Sequence, residues 1–431
     1  MISLKEYIKF STKHILANKL KINMKTVKSL KILFVLGIIF FTITSVKSQD
    51  WPCWRGMNRD DIVTGFKSPA QWPGELKQVW QATVGLGDAS PILADGKIYV
   101  LTKDGNDEVT YCINATDGKT VWRTINNPAP AVEGPASSHP GPRSTPAYKN
   151  GKVYTLGVGG FLHCLDAATG KIIWGNDSYK EVPQFFVGMS PMIVGNKCIV
   201  HLGGKETGTI VAFNAENGDI IWRLEGQPCT YSSPVTMKMG NEDVLVVQTE
   251  TDMIGVSMDG KLLWKVPTPV QQRFYNCSTP IIDGQNVIVA GEGGGTHSFK
   301  IEKTGNEYTY SENWTNPDFG GSFNTPVLKD GYLYGNEARL GKLYCLNVKT
   351  GATSWNDETT LNRFAATLSL GNEILSLPAT GNLIIFSGTP EKYNQIASYK
   401  VADTEVYAQP VVAGDKIYVK DKEMLTCWSL K

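Results

Sequence analysis

The sequence lacks the short motifs that carry most enzyme chemistry. It contains no haem-attachment Cys-x-x-Cys-His, no His-Glu-x-x-His, no Walker loop and no Gly-x-Ser-x-Gly. Its five histidines are scattered along the chain, so we do not expect a multi-histidine metal site. None of its eight cysteines is adjacent to another. The motifs therefore favour no catalytic mechanism, and function has to be inferred from the architecture.

The N-terminal apolar run is too short to span a bilayer. Residues 32–43 form this twelve-residue run, which follows three lysines and ends before small residues. That pattern predicts a signal peptide over 1–48, with Met24 as an alternative start and an uncleaved membrane anchor as the alternative interpretation. We expect a periplasmic or secreted protein. Cys53 follows Asp-Trp-Pro rather than a lipidation box, so we do not expect a lipid anchor.

The mature chain has no excess of positive charge. The whole sequence carries a net charge of +1, but residues 1–48 contain nine lysines and one glutamate, so the remainder is acidic by about seven charges. An acidic chain is a poor partner for nucleic acid or for an anionic membrane. We expect a small molecule, a glycan or an exported protein as the partner.

What the sequence does contain is a repeat. Eight short strand starts, usually Ser/Thr-Pro, alternate with eight aromatic residues, and seven of the starts are followed by their aromatic residue 28 to 34 positions later. The starts are Pro91, Pro146, Pro191, Pro234, Pro280, Pro326 and Pro410, with Thr367 in the seventh place. The aromatic residues are Trp80, Trp122, Trp174, Trp222, Trp264, Trp314, Trp355 and Tyr399. A repeat built only from strand signals at this period predicts an all-β, eight-bladed β-propeller with four-stranded blades.

The order of these positions predicts how the ring closes. Trp80 precedes the first Ser-Pro, while the last repeat stops at the strand that should precede a tryptophan. An N-terminal strand at 76–80 is therefore expected to complete the last blade. We predict one propeller over 76–431, preceded by an extended segment at 49–75. Closure leaves no open blade edge, so we expect a monomer.

The repeat also places the cysteines. Four of them, Cys112, Cys164, Cys345 and Cys427, occupy the same third-strand position, too far apart between blades for a bridge. We expect them to be small core residues. A disulfide between Cys229 and Cys277 remains an open alternative.

The variable loops indicate which face binds a ligand. Two of the turns in each repeat are short and stereotyped, whereas the connection over 126–143 is long, and variable loops on a rigid scaffold are the usual place for binding. The residues entering the inner strands combine aromatic rings with charges, as expected of a small-molecule or peptide pocket. Plugging of the channel axis by the aromatic residues is the alternative. The candidate ligand-binding residues are Asp88, His139, Arg143, Tyr231, Glu250, Arg273, Asn276, Glu292, Phe323, Glu337, Arg339, Arg363, Phe364 and Tyr407. We assign no catalytic and no metal-binding residue.

Repeats such as GKVYTLGVGGFLHCLDAATGKIIW and DGYLYGNEARLGKLYCLNVKTGATSW resemble those of the pyrroloquinoline-quinone (PQQ)-like β-propeller family. The segments WPCWRGMNRDDIVTG and GPRSTP resemble exported bacterial members of that family. One branch, the quinoprotein dehydrogenases, holds PQQ with Ca²⁺ beside a ring of adjacent cysteines, which this chain lacks. The other resembles the scaffold propeller of outer-membrane-protein assembly. The resemblance implies a noncatalytic binding or scaffolding propeller, with a PQQ-dependent oxidoreductase acting on an alcohol or sugar as the alternative.

Overall fold

The computed structural model describes residues 50–179, 181–183, 185–268 and 276–431. The segment predicted to be a signal peptide lies outside these ranges. No helix within them is both long and apolar enough to cross a membrane. The described chain is almost entirely strand and turn, with one 3-10 turn at Gly134–Ala136.

The strands are short and follow one another in groups of four. The first is β1 (Lys77–Thr83). Blade 1 contains β2 (Ile92–Ala94), β3 (Lys97–Asp104), β4 (Asp107–Asn114) and β5 (Thr120–Pro128). Blade 2 contains β6 (Ala147–Lys149), β7 (Lys152–Leu156), β8 (Leu162–Asp166) and β9 (Ile172–Asn176). Blade 3 contains β10 (Met192–Val194), β11 (Lys197–Leu202), β12 (Thr209–Asn214) and β13 (Ile220–Glu225). Blade 4 contains β14 (Val235–Met239), β15 (Glu242–Gln248), β16 (Asp252–Ser257) and β17 (Leu262–Pro267).

The second half of the chain repeats this arrangement. Blade 5 contains β18 (Ile281–Asp283), β19 (Asn286–Gly291), β20 (Gly295–Thr304) and β21 (Glu307–Asn316). Blade 6 contains β22 (Val327–Lys329), β23 (Tyr332–Asn336), β24 (Leu343–Asn347) and β25 (Thr353–Asn356). Blade 7 contains β26 (Ala365–Leu370), β27 (Glu373–Pro378), β28 (Asn382–Ser387) and β29 (Gln395–Lys400). Blade 8 contains β30 (Val411–Ala413), β31 (Lys416–Lys420) and β32 (Met424–Ser429).

The first described strand completes the last blade. Blade 8 has the order β1-β32-β31-β30, and β1 pairs antiparallel with β32 from Lys77 opposite Ser429 to Thr83 opposite Met424. The other seven sheets each contain four consecutive antiparallel strands. The predicted eight-bladed propeller and its mode of closure are both confirmed.

Six of the seven repeated tryptophans join one blade to the next through an indole hydrogen bond, whereas the Trp264 indole has no such partner among the described residues. The indole Nε1 of Trp174 in blade 2 donates a 3.1 Å hydrogen bond to the Ala215 carbonyl in blade 3. Its ring packs on Gly218, where an added Cβ would lie 2.7 Å from the indole, so only glycine fits there. Equivalent indole-to-carbonyl bonds are made by Trp80, Trp122, Trp222, Trp314 and Trp355. The tryptophan period of the sequence is therefore a series of contacts between blades.

The Ser/Thr of the Ser/Thr-Pro start has a role of its own. The Thr145 amide of blade 2 donates to Ser190 Oγ of blade 3 at 2.9 Å, and the Ser190 amide donates to Ser233 Oγ of blade 4 at 2.9 Å. Three further junctions carry the same bond: Ser90 to Thr145, Thr279 to Thr325 and Gln409 to Ser90. We call these bonds the hydroxyl ring. It satisfies buried amides at the place where the inner strands converge.

The hydrophobic core lies between the blades. The side chains at the third-strand cysteine positions, including Cys112 and Cys164, are fully buried. All eight cysteines fall within the described residues, and none of them forms a disulfide there, so Cys229 and Cys277 are not bridged to each other. Burial raises the pKa of these two thiols, which therefore remain protonated at neutral pH.

Residues 50–63, which we call the strap, lie inside the ring of inner strands. The strap bonds to Leu93, Tyr148, Pro191, Thr279, Pro326, Ser369 and Gln409, which belong to seven of the blades. Its buried Arg55 and Asp61 form an ion pair at 2.5 Å. These contacts close the channel from within.

Candidate functional site

A cavity of about 430 Å³ opens where the chain enters the inner strands. It is bounded by the long connection between blades 1 and 2, by Phe185 of the connection between blades 2 and 3, and by residues that precede several inner strands. The residues that precede the inner strands lie at the same level around the axis, because each stands three positions before the proline, or before Thr367 in blade 7, that starts its strand. We call this cavity the cup. Its volume is within the range of small-molecule sites.

Six side chains surround the cup in a closed circle. We call them the rim ring: His139, Arg143, Tyr231, Phe323, Phe364 and Tyr407. Along the series from His139 through Tyr407, Phe364 and Phe323 to Tyr231, neighbouring ring centroids lie 4.8, 5.6, 5.3 and 5.9 Å apart. Arg143 closes the circle, with its guanidinium carbon 6.0 Å from the Tyr231 ring centroid and its Nη2 2.8 Å from the His139 carbonyl. The wall of the cup is therefore mostly aromatic.

Asp88 and His139 form a hydrogen-bonded pair of ionisable side chains in the cup. Nδ1 of His139 lies 2.8 Å from Oδ2 of Asp88, and this hydrogen bond raises the pKa of the imidazole above its usual value. The segment before Asp88 is fixed from below by buried Lys420, whose Nζ donates to the Gly87 carbonyl at 2.5 Å. Burial lowers the pKa of Lys420 to about 8. The hydrogen bond from Lys420 to the Gly87 carbonyl positions the backbone of the next residue, Asp88.

Arg143 is a cation with no carboxylate partner in the part of the chain that the structure describes. Its Nη2 donates to the carbonyls of His139 and Ala136, at 2.8 and 3.5 Å, and so fixes the long connection. Within the described ranges, no carboxylate lies within 4.0 Å of its guanidinium, and its buried Nη1 has no hydrogen-bond partner. Asp88, which could have paired with Arg143, pairs with His139 instead. Among the described residues, the Arg143 charge is thus compensated by two backbone carbonyls and by the face of the Tyr231 ring.

A second guanidinium lies on the opposite side of the rim ring. Arg363 stacks 4.7 Å from the Phe364 ring centroid and lies 3.5 Å from Oε1 of Glu292. The other carboxylate oxygen of Glu292 accepts a hydrogen bond from Ser322 at 2.5 Å. Arg363 remains about half exposed, at 47% of its side-chain surface. The charge of this guanidinium is only partly compensated.

The floor of the cup includes Trp54, which comes from the strap and from none of the blades. Nε1 of this half-buried indole donates to Oγ1 of Thr279 at 3.2 Å. The Thr279 amide belongs to the hydroxyl ring, so the floor is attached to the same circle of bonds that joins the blades. The cup therefore has an aromatic residue on its floor as well as on its rim.

A family model for the outer membrane protein assembly factor BamB matches residues 105–357, more than half of the sequence. The chain belongs to this family. Family membership agrees with the PQQ-like repeat resemblance, which is therefore confirmed. It does not by itself assign an activity, because one fold supports many functions.

The relatives of this BamB-family propeller include an outer membrane protein assembly factor and alcohol dehydrogenases. BamB of Shewanella oneidensis is 22% identical over 338 residues, covering 65% of this chain and 82% of the relative. The quinohemoprotein alcohol dehydrogenase ADH-IIG of Pseudomonas putida is 29% identical over 162 residues, covering 36% of this chain. The chain spans about a fifth of the length of such dehydrogenases, 22% in this case.

Solved structures show the same fold. BamB from Moraxella catarrhalis superposes with a TM-score of 0.61 at 16% identity, covering 82% of this chain and 97% of that one. The quinohemoprotein alcohol dehydrogenase from Comamonas testosteroni superposes with a TM-score of 0.64 at 16% identity, covering 91% and 82%. At this identity the likeness extends to the fold alone.

The structure of this BamB-family member brings eight of the predicted site residues together. The residues that line the cup are Asp88, His139, Arg143, Tyr231, Phe323, Arg363, Phe364 and Tyr407. Of the others, Glu292 pairs with Arg363, Arg339 is exposed, and Arg273 lies outside the described residues.

Two predicted residues support the backbone near the cup. Glu337 caps its own turn by accepting from the Arg339 amide at 2.8 Å and from the Leu340 amide. Asn276 donates to backbone carbonyls, among them Glu250 O at 3.1 Å, and so joins two connections beside the cup. Glu250 itself is half-buried and does not line the cup. Glu337 and Asn276 therefore stabilise backbone segments near the rim ring and do not line the cup.

No pattern in the sequence identifies Trp54 as a site residue. It lies outside the repeat, so no register assigns it a height or a direction. The one available signal was the density of Trp, Arg and Gly in WPCWRGMNRD, which is unusual for a flexible leader of a mature protein. Phe185 was missed because its connection has no equivalent in other blades.

The residues of the cup do not fit the PQQ and Ca²⁺ pair of the dehydrogenase branch. Calcium takes six to eight oxygen ligands, usually with several carboxylates. Among the described lining residues, Asp88 is the only carboxylate, and it is bonded to His139. No group of three or more His, Cys, Asp or Glu side chains suited to a metal occurs in the described part of the chain. We therefore derive no catalytic step through the quinone.

Proposed function

We propose that this protein is an exported, noncatalytic binding propeller whose ligand enters the cup through the variable-loop mouth. The observation that supports this proposal most directly is the rim ring, a closed aromatic circle that contains the unpaired charge of Arg143. A ring that only plugged the axis would leave no cavity, and a cavity of about 430 Å³ lies inside this one. Convergent polar groups on an apolar wall are typical of ligand sites.

Export and a protein partner belong to the same proposal. The lysines and the apolar run of residues 1–48 support export. The relative from Shewanella oneidensis is named as an outer membrane protein assembly factor, which supports a protein partner for a propeller of this family. The acidic balance of the remaining chain agrees with a partner that is neither nucleic acid nor an anionic lipid surface.

Photo-crosslinking in the native cell tests where the partner binds. A benzophenone amino acid at Phe323, which is 47% exposed on the rim ring, should give a discrete adduct. The same amino acid at Ile173, 43% exposed on an outer strand, should not. Arg143→Gln should reduce the adduct from position 323, whereas Arg339→Gln should leave it unchanged. An adduct only from position 173, or one unaffected by Arg143→Gln, would place the binding surface elsewhere.

The alternative is a PQQ-dependent oxidoreductase, which the dehydrogenase relatives support. Purified protein mixed with PQQ and Ca²⁺ should show no saturable absorbance change and no reduction of an artificial electron-accepting dye in the presence of ethanol or glucose. Dye reduction that depends on both PQQ and Ca²⁺ would overturn the noncatalytic proposal.

A further inference from the structure

We propose that the seam between blades 4 and 5 contains a second binding site, which takes a primary ammonium group. The site is a cavity of about 360 Å³, within the range of small-molecule sites. Its lining includes residues of β19, β20 and the outer strand β21, so it lies away from the axis, and it shares no described lining residue with the cup. We call it the seam cavity. A free amine and the lysine side chain of a peptide share this chemistry.

The seam cavity occurs where the repeated contacts between blades are interrupted. Trp264, the repeat tryptophan of blade 4, has no partner for its indole N–H among the described residues. Blade 5 has a long hairpin, with ten residues in each of β20 and β21, and an added Cβ at Gly305 in its turn would meet nothing within 4 Å. That turn therefore does not close the seam over Trp264. In five other seams the indole packs on a glycine of the next blade, namely Gly118, Gly170, Gly218, Gly260 and Gly351.

The polar side chains of the seam cavity use their hydrogens within the protein. Nε2 of Gln248 donates to the Thr249 carbonyl at 2.9 Å and to Oγ1 of Thr268 at 2.7 Å. Nε2 of His297 lies 2.8 Å from the Gly294 carbonyl, which can only accept, so this nitrogen carries a hydrogen and donates it. Oε1 of Gln248, in contrast, accepts no hydrogen bond from the described residues. A lining whose donors are engaged and whose acceptors are not favours a ligand that donates hydrogen bonds.

The charge of the seam cavity is negative. Glu312 is the only carboxylate among the described lining residues, which include no lysine and no arginine. Lysines of the same two blades pair with other carboxylates, Lys303 with Glu242 at 2.5 Å and Lys265 with Asp252 at 2.8 Å. Glu312 itself has no ion-pair partner in the described part of the chain. An unpaired carboxylate beside unused acceptors matches an ammonium group, which has one positive charge and three N–H donors.

Three aromatic rings of blade 5 complete the lining. His297 and Phe299 are stacked with their ring centroids 6.0 Å apart, and Tyr310 meets Phe299 edge to face at 6.3 Å. Phe299 is directly opposite Glu312 in the register of β20 and β21, and Tyr310 is 46% exposed. A cation near the face of such a ring is attracted by its quadrupole. The rings and the carboxylate therefore favour the same kind of ligand.

The test is titration of the purified protein at pH 7 with matched probes, followed by calorimetry. The amines are n-butylamine and Nα-acetyl-lysine amide, which are protonated at this pH because the pKa of such amines is about 10.4. Their neutral counterparts are 1-butanol and Nα,Nε-diacetyl-lysine amide. We expect at least one amine to bind about tenfold more tightly than its counterpart. Tighter binding of the lysine derivative than of butylamine identifies a peptide side chain as the source, and the reverse or equal binding identifies a free amine.

Three results of this titration would overturn the proposal. They are absence of binding by both amines, equally tight binding of the neutral counterparts, and tighter binding of butyltrimethylammonium than of butylamine. The last compound keeps the charge but has no N–H to donate, so its preference would contradict the role of the acceptors.

Variants test the residues of the seam cavity. Glu312→Gln should lower amine binding to the level of the neutral counterpart, because it removes the charge and keeps the shape. Glu307→Gln, on the same strand but outside the lining, is the control and should leave the affinity unchanged. Tyr310→Leu should weaken amine binding about threefold, and Tyr310→Phe by less than twofold, since phenylalanine keeps the ring face. Equal affinities of wild type and a folded Glu312→Gln protein would refute the site.

Proton NMR of the histidines locates the bound amine. Butylamine should shift the imidazole signals of His297 and leave those of His139 in the cup unchanged. Its effect should be absent in the Glu312→Gln protein, which should still give the crosslinked adduct from position 323. An amine that shifts His139 rather than His297 would place the ammonium group in the cup and overturn the proposal.

Discussion

At the scale of single residues, the aspartate and the arginine of the cup do not form an ion pair with each other. Asp88 lines the same cup as Arg143, yet its carboxylate accepts a hydrogen bond from His139. Arg143 instead donates to the carbonyls of its own connection, so one side chain both fixes the loop and retains its charge. The sequence predicted an arginine and an aspartate at the mouth, but the choice of partners depends on side-chain rotamers that no sequence pattern specifies.

The pairing of His139 predicts a pH dependence. The hydrogen bond that Nδ1 of His139 donates to the Asp88 carboxylate raises the imidazole pKa above its usual value of about 6.5, burial and Arg143 oppose this shift, and Glu405 adds to it. Because the folded-state pKa is the higher one, the pair stabilises the fold fully below the unfolded pKa and loses its effect as pH rises through the folded pKa. The stability difference between wild type and His139→Gln should therefore be larger at pH 5 than at pH 8, by about 1 kcal/mol or less.

Proton NMR of the imidazole measures this shift directly. Asp88→Asn should lower the His139 pKa, and Asp104→Asn, at a distant surface pair with Arg123, should leave it unchanged. An identical titration in the Asp88→Asn protein would show that the carboxylate does not act on the ring.

At the scale of strands and blades, the tryptophan contacts carry much of the stability. Trp174 is only 9% exposed, and Trp174→Ala should cost about 3 to 5 kcal/mol in the free energy of unfolding, because it leaves a cavity against blade 3. Ile173, the adjacent residue of the same strand, is 43% exposed, and Ile173→Ala should cost less than about 1 kcal/mol. Urea denaturation of both variants makes the comparison. Similar losses for the two would mean that the indole contact adds nothing specific.

The hydroxyl ring gives a second prediction at this scale. Ser190→Ala removes the acceptor of the buried Thr145 amide and should cost about 1 to 3 kcal/mol. Ser190→Thr should retain most of the stability, because blades 2, 5 and 6 carry threonine in this place. Thermal unfolding distinguishes the two variants. A Ser190→Ala protein as stable as wild type would show that water replaces the hydroxyl.

The blades were predictable because the repeat samples each feature eight times. One Ser-Pro or one tryptophan carries little information, but eight at a regular spacing determine strand order and blade number. The purpose of the hydroxyl was not predictable, since a hydrogen bond between blades is invisible in a one-dimensional pattern. Blade 7 departs from the motif with Ala366 before Thr367, and the Thr367 hydroxyl has no partner among the described residues.

At the scale of the whole molecule, the first strand decides whether the ring is closed. Removal of residues 49–80 takes away most of β1 and the strap, exposes the edge of β32 and should cause aggregation or a broad melting transition. Removal of residues 1–48 alone is the control and should leave one cooperative transition. A monomeric 49–80 deletion with an unchanged melting curve would refute the role of β1 in closure.

The ring was predictable as a whole, but its centre was not. The strap has no repeat and no periodicity, and it forms isolated bridges and turns rather than a helix or a continuous strand, so sequence patterns describe it only as an extended segment. Its position follows from contacts with seven blades, some of which lie hundreds of residues away from it in the sequence. The sequence therefore predicted the residues of the rim ring but not Trp54, which forms the floor of the cup.

Closure by β1 also sets the order of events during folding. Lys77 pairs with Ser429 across about 350 residues, so the first strand to be synthesised has to wait for the last one. Blades 1 to 7 consist of local hairpins, which form early, whereas this one pairing requires the closure of nearly the entire chain. Until then both strands keep an open edge, and a nascent or newly exported chain is most vulnerable to misassembly with a neighbour. For this molecule, the slow and hazardous step of folding is its last.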